Sequence, residues 1–164
     1  MSGSPDRPRI STLTQEELSL PAAELAGLMA DVLARGAVFR FKAPGVSMYP
    51  FIRDGDVLTV RACNPRHICC GDVLVCRVKE QLAVHRVVKL KDASFLTKGD
   101  NLSQDDGWTG AGDVIGITVK VERNERSVGF GQHSCLIAWL SRHRLLWPAK
   151  YLASAMDKIK ISYY

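Results

Sequence analysis

Three short strings hold the side chains best suited to chemistry. The first is Gly45-Val-Ser-Met-Tyr-Pro-Phe-Ile-Arg-Asp-Gly-Asp56. It places the Ser47 hydroxyl just after a glycine turn. Pro50 removes a backbone donor and restricts Tyr49 to extended angles. A serine in a loop before a strand has the same local sequence, and serine at its free pKa is a poor nucleophile without a base in hydrogen-bond reach. The second string is Val84-His85-Arg86-Val87-Val88. An ordinary histidine, with a pKa near ~6.5, can accept a proton at neutral pH, but a strand histidine can equally be a surface or core residue. The third is Leu96-Thr-Lys-Gly-Asp100-Asn101, followed by Gln104-Asp105-Asp106-Gly107. Alone it reads as a polar turn whose aspartates bond to nearby backbone.

Other reactive side chains form no pattern. The five cysteines are Cys63, Cys69, Cys70, Cys76 and Cys135, an odd count with an adjacent pair, which makes a poor disulfide framework. With His67 the first four are close in sequence, yet no paired CxxC spacing exists, so no metal and no cofactor is expected. His133 and His143 have no recognisable partner. Trp108, beside Asp106 and between glycines, reads either as a shield over that aspartate or as a surface turn aromatic.

The elements that must carry these strings follow from periodicity. Residues 1–17 are polar and proline-containing and read as a disordered lead. Leu25, Leu28, Met29, Val32 and Leu33 share a helical face, predicting an amphipathic helix over 20–35. Ser19 suits its N-cap, Pro21 its first turn and Gly36 its end. From 37 to about 123 the period becomes that of strands. Four Gly-Asp pairs punctuate it, at 55–56, 71–72, 99–100 and 112–113, and three of them open the runs DVLTV, DVLVCRV and DVIGITVKV. They read as repeated turn chemistry rather than an internal repeat. LAVHRVVKL, residues 82–90, is a further strand. Short strands without interleaved helices predict a mainly β fold, a small coiled sheet or barrel. Residues 135–156 turn helical again, with Pro148 forcing a kink or restart.

The 164 residues fit one domain with a real core, and 46% apolar and 24% charged residues exclude a disordered or collagen-like chain. The net charge of +5 is uneven. Arg142, Arg144, Lys150, Lys158 and Lys160 against Asp157 give residues 131–164 a net +4, leaving the rest about neutral. Nucleic acid is therefore not an expected partner. No signal peptide or transmembrane anchor is visible, since the longest apolar candidate, CLIAWL at 135–140, stops at Ser141-Arg142. Free cysteines and this absence together suggest a cytoplasmic location.

Taken in order, GVSMYPFIRDGD, ICCGDVLVC, VHRVV and TKGDN resemble the signal peptidase and LexA-like superfamily of serine peptidases over roughly residues 37–120. That resemblance implies Ser47 as nucleophile and His85 as base. Lysine fills the base position in bacterial signal peptidases and LexA-type proteins; histidine fills it in archaeal and endoplasmic-reticulum signal peptidases, the branch this chain resembles. In that branch an aspartate beyond the Gly-Asp-Asn motif partners the histidine. Asp106 stands at the matching spacing, with Asp100 the second candidate, its other role being to close the turn before the Asp105-Asp106 loop. A carboxylate there fixes the imidazole tautomer and stabilises imidazolium. Signal peptidases often carry a serine two residues before the nucleophile as an oxyanion donor; here that residue is Gly45, so the oxyanion falls to backbone N–H groups within Gly45, Val46, Met48 and their neighbours, with Pro50 shaping the loop.

The expected organisation is a lead and helix over 1–36, a peptidase core over 37–130 and a basic helical tail over 131–164. The expected function is an endopeptidase acting on an extended peptide or precursor protein, after a small residue as in the family. The alternatives are a LexA-like self-cleaving regulator, for which Ala26-Gly27 resembles the cleavage dipeptide, and a non-catalytic peptide-binding module. The family's membrane setting leaves one route to a membrane surface, the basic, tryptophan-containing tail at 135–160 as an interfacial helix; packing on the core with its basic face in water is the other use.

Overall fold

A computed structural model describes residues 21–79, 81–143 and 145. The lead at 1–17, Ser19 and the tail from 146 onward lie outside the described residues. In chain order the elements are α1 (Ala22–Ala34), β1 (Phe39–Lys42), β2 (Val57–Arg61), β3 (Val73–Val78), β4 (Gln81–Lys91), β5 (Ser94–Lys98), β6 (Trp108–Gly110), β7 (Val114–Arg123), β8 (Arg126–Ser127) and α2 (Cys135–Arg142). The strands form one antiparallel sheet in the order β1-β2-β7-β3-β4-β5-β6, with β8 on β7. It curls into a half-barrel, as the mainly β expectation required. Register shifts at Thr59/Val60, Val75/Cys76 and Val87/Lys89 are the kind of irregularity that bends a sheet.

β3 sits in the middle, and Val73, Leu74, Val75 and Cys76 are all buried because both faces are covered. On one face Met29 and Leu33 of α1 pack on Val60 and Val75. Met48, Ile52, Leu58, Val73, Val121 and Phe130 form a second cluster. Leu74, Cys76, Val87, Phe95 and Ile117 form a third with Ile68. Direct pairing of Leu74 with His85 and of Val87 with Thr97 puts His85 and Thr97 on the face of this third cluster.

The three Gly-Asp-Val strings do open β2, β3 and β7. Two share one device: Asp56 accepts from Arg53 N–H at 2.8 Å, and Asp72 from Cys69 N–H at 2.9 Å. α1 is two residues shorter at its start than the 20–35 expected; Pro21 precedes it without a side-chain cap. α2 is capped by Ser134, whose hydroxyl accepts from Ile137 N–H, and it ends at Arg142; the rest of the helical stretch expected up to 156 lies largely outside the described residues. No helix among the described residues is long and apolar enough to cross a membrane.

Candidate active site

β4 begins its buried stretch with two neighbours that point to opposite faces, His85 and Arg86. His85 Nδ1 lies 2.7 Å from Asp106 Oδ2, and the two side chains are only 9% and 10% exposed. A carboxylate only accepts, so Nδ1 carries the proton and Nε2 is the ring nitrogen left to take another. The same Oδ2 accepts from the Thr97 hydroxyl at 2.7 Å, and Asp106 N–H donates to Thr97 C=O at 2.9 Å.

Ser47 is half-buried in the loop between β1 and β2. Met48 and Ile52 anchor that loop in the core, each 3% exposed. Met48 therefore offers a substrate only its backbone. Gly45 sits at φ +87°, a conformation that strains other residues, and its N–H donates to Asp54 Oδ1 at 2.7 Å. It is thus spent and cannot also serve an oxyanion. Among the described residues, the N–H groups of Val46, Ser47 and Met48 have no protein acceptor. Val46 is exposed and Pro50 has no N–H to give.

Gly99 and Asn101 latch this loop to the sheet. Asn101 N–H donates to Ser47 C=O at 2.8 Å, and Asn101 Nδ2 donates to Val46 C=O at 3.0 Å. A Cβ on Gly99 would lie 2.7 Å from Ser47 O, so only glycine permits the approach. Arg86 pairs with Lys98, the last residue of β5, and Gly99 follows it directly. The backbone of Ser47 is therefore packed against the chain just beyond the end of β5.

Asp100 does not meet His85. Its carboxylate takes three hydrogen bonds from Arg86, at 2.7 to 3.1 Å, with both side chains fully buried. Arg86 also donates to the carbonyls of Gly71, Phe130 and Gly131 and lies over the Phe51 ring. So Asp100 does more than close a turn: it neutralises a buried cation that ties four segments together.

The sequence model of the Peptidase S24-like family matches residues 10–108. The chain belongs to this family. The matched span is more than half of the sequence and takes in Ser47, His85 and Asp106. No curated protein matches it significantly. The family lies in the LexA and signal peptidase superfamily, which agrees with the curled sheet and the loop that carries Ser47.

Residues outside that constellation have other uses. Burial pushes the thiols of Cys63 and Cys70 up and that of Cys76 up to about 12, so none is an activated nucleophile. All five cysteines are free, and no grouping among the described residues could hold a metal. His133 Nδ1 lies 2.6 Å from Asp72 Oδ1, at ion-pair distance but out of line for a hydrogen bond. His143 tilts against Trp139, and His67 is exposed. Trp108 is 48% exposed on β6. A cavity of about 420 Å³ lined by Lys98, Asp105 and Arg142 among others includes neither Ser47 nor His85. Sequence reasoning missed Thr97 and the Arg86 hub. The register of TKGDN against VHRVV was the available signal for both.

Proposed function

We propose that this chain is a serine endopeptidase of the signal-peptidase type with a histidine base. The observation that carries the reading is the buried 2.7 Å contact between His85 Nδ1 and Asp106 Oδ2. It fixes the tautomer that leaves Nε2 free for the Ser47 hydroxyl proton. Ser47 then attacks the carbonyl of an extended peptide lying along a strand edge. The oxyanion is met by N–H groups among Val46, Ser47 and Met48, in place of the side-chain donor that Gly45 lacks. His85 returns the proton to the leaving amine, Asp106 stabilising the imidazolium. Water then releases the acyl group by the same base. No cofactor enters.

A substrate supplied in trans fits better than self-cleavage at Ala26-Gly27. That bond lies inside α1, and Ala26 is buried in its packed face. A protease needs its substrate extended, so α1 must first unwind. Contact with a membrane surface through α2 is part of the proposal: Leu136 and Trp139 stand 66% and 52% exposed, ahead of the basic Arg142. Co-sedimentation with anionic vesicles reads this, and loss of binding in Trp139→Ser supports it.

The central test incubates wild type and Ser47→Ala with extended peptides carrying alanine before the scissile bond. Products are read by mass spectrometry, alongside fluorophosphonate labelling. Cleavage and a label on Ser47 in the wild type alone are expected. Equal cleavage by Ser47→Ala overturns the serine mechanism.

A further inference from the structure

We propose that Thr97 is a positioning residue that aims the Asp106 carboxylate at His85. The idea rests on the reading of His85 and Asp106 as base and partner. Asp106 follows a loop whose residues Leu102, Ser103, Gln104 and Asp105 are all exposed, so little packing holds its carboxylate in place. Thr97 holds it twice. Its carbonyl accepts from Asp106 N–H at 2.9 Å, and its hydroxyl donates to Asp106 Oδ2 at 2.7 Å. That oxygen is also the one 2.7 Å from His85 Nδ1.

The direction of the second bond is forced. An ionised carboxylate has no proton to give, so Thr97 must be the donor. The buried Cys76 thiol is a further hydrogen-bonding neighbour of the Thr97 side chain and feels the Asp106 charge. Thr97 itself is fully buried on β5, a rigid strand, whereas Asp106 is on a loop. A residue on a loop gains accuracy when a strand grips it. One oxygen can accept from both donors, and both bonds together fix its orientation.

Thr97→Val removes the hydroxyl and keeps the shape. Thr97→Ser keeps the hydroxyl, and Thr97→Ala deletes it should valine not fold. The tautomer of His85 is read by nitrogen-proton correlation NMR, which needs no activity, and peptide cleavage is measured beside it. The wild type and Thr97→Ser should show the Nδ1–H tautomer. Thr97→Val should shift toward Nε2–H and lose about tenfold to a hundredfold in kcat with KM little changed, the scale of a hydrogen bond to a charged group. An unaltered tautomer or an unaltered kcat in Thr97→Val overturns the proposal, as does a wild type without the Nδ1–H form. If instead Ser47→Ala still cleaves, the serine mechanism falls while the NMR result still decides what Thr97 does.

Discussion

His85 and Arg86 are adjacent on one strand, and each ends on an aspartate of the same loop, yet the two pairs do opposite work. Arg86 meets Asp100 through three hydrogen bonds and reaches three further carbonyls, with nothing exposed. His85 meets Asp106 through one atom and keeps its other nitrogen uncommitted. The alternation of a strand makes the division possible, because neighbouring side chains leave opposite faces. A saturated ion pair can only hold; an unsaturated one can exchange a proton. The loop from Gly99 to Asp106 thus closes the fold at its first aspartate and serves the candidate chemistry at its last.

That contrast predicts two separable phenotypes. The largest effect belongs to Ser47→Ala, with a loss of about 10⁶ in kcat by analogy with other serine peptidases and little change in melting temperature. Asp106→Asn comes next. It preserves shape but favours the wrong imidazole tautomer, so the expected loss is about 10⁴ in kcat, again with the fold intact. Peptide kinetics paired with thermal melts check both. A large drop in melting temperature for Asp106→Asn would make it a structural pair like its neighbour, and the division of labour would collapse.

Asp100→Asn should show the reverse. It strands the Arg86 cation in a fully buried site, and breaking a buried pair costs about 3–5 kcal/mol. For a domain this size that is roughly 6–20 °C in melting temperature. Activity per folded molecule should fall far less than in Asp106→Asn. A well-folded but inactive Asp100→Asn would move the third catalytic role to Asp100.

Much of this frame is legible in the sequence, for identifiable reasons. The Gly-Asp-Val starts of β2, β3 and β7 are local: β-branched residues follow each pair, and at β2 and β3 the glycine makes the turn and the aspartate binds the N–H three residues back. α1 is legible from its apolar spacing, its ends less so because Pro21 supplies no side-chain cap. The resemblance named Asp106, and the structure places it on His85. The separate use of Asp100 was hidden, since Gly99-Asp100 looks like the two turns before it. What distinguishes it is Arg86, fourteen residues away in sequence and its partner only once β4 and β5 pair. Thr97 was hidden in the same way, as an ordinary strand residue until the loop folds back on it. The start of the C-terminal helix was legible from the Ser134 cap and the apolar run after it, and α2 ends at Arg142.

Cys76 offers a reporter that sharpens the same contrast. It is fully buried on the His85 face, and desolvation first, then the Asp106 charge, push its thiol up to about 12. At pH 8 its thiolate is only about one part in 10⁴. A maleimide should therefore modify the exposed Cys69 and Cys135 and spare Cys76. Asp100→Asn should speed Cys76 labelling strongly by raising the unfolded fraction, whereas Asp106→Asn, which only relieves the neighbouring charge on a thiol that stays buried, should speed it far less. Peptide mapping after timed labelling reads the order, and equal acceleration in both variants would show that Asp106 also holds the fold.

The smallest effect is expected at Asp105, which lies between the two pairs in sequence and belongs to neither. It is exposed, and its carboxylate accepts one hydrogen bond, from Gly107 N–H at 3.1 Å. Asparagine keeps that acceptor, because its side-chain carbonyl can take the same N–H. Asp105→Asn should then stay within about 0.5 kcal/mol in stability and about twofold in kcat. Together with Asp100→Asn and Asp106→Asn it forms a series in which one charge is removed from one loop at three positions. If the three variants lose rate alike, the loop's net charge is what matters, and the pairing of individual aspartates with His85 and Arg86 is irrelevant to catalysis. If Asp105→Asn alone is silent, the effect lies in the contacts, since each substitution removes the same charge.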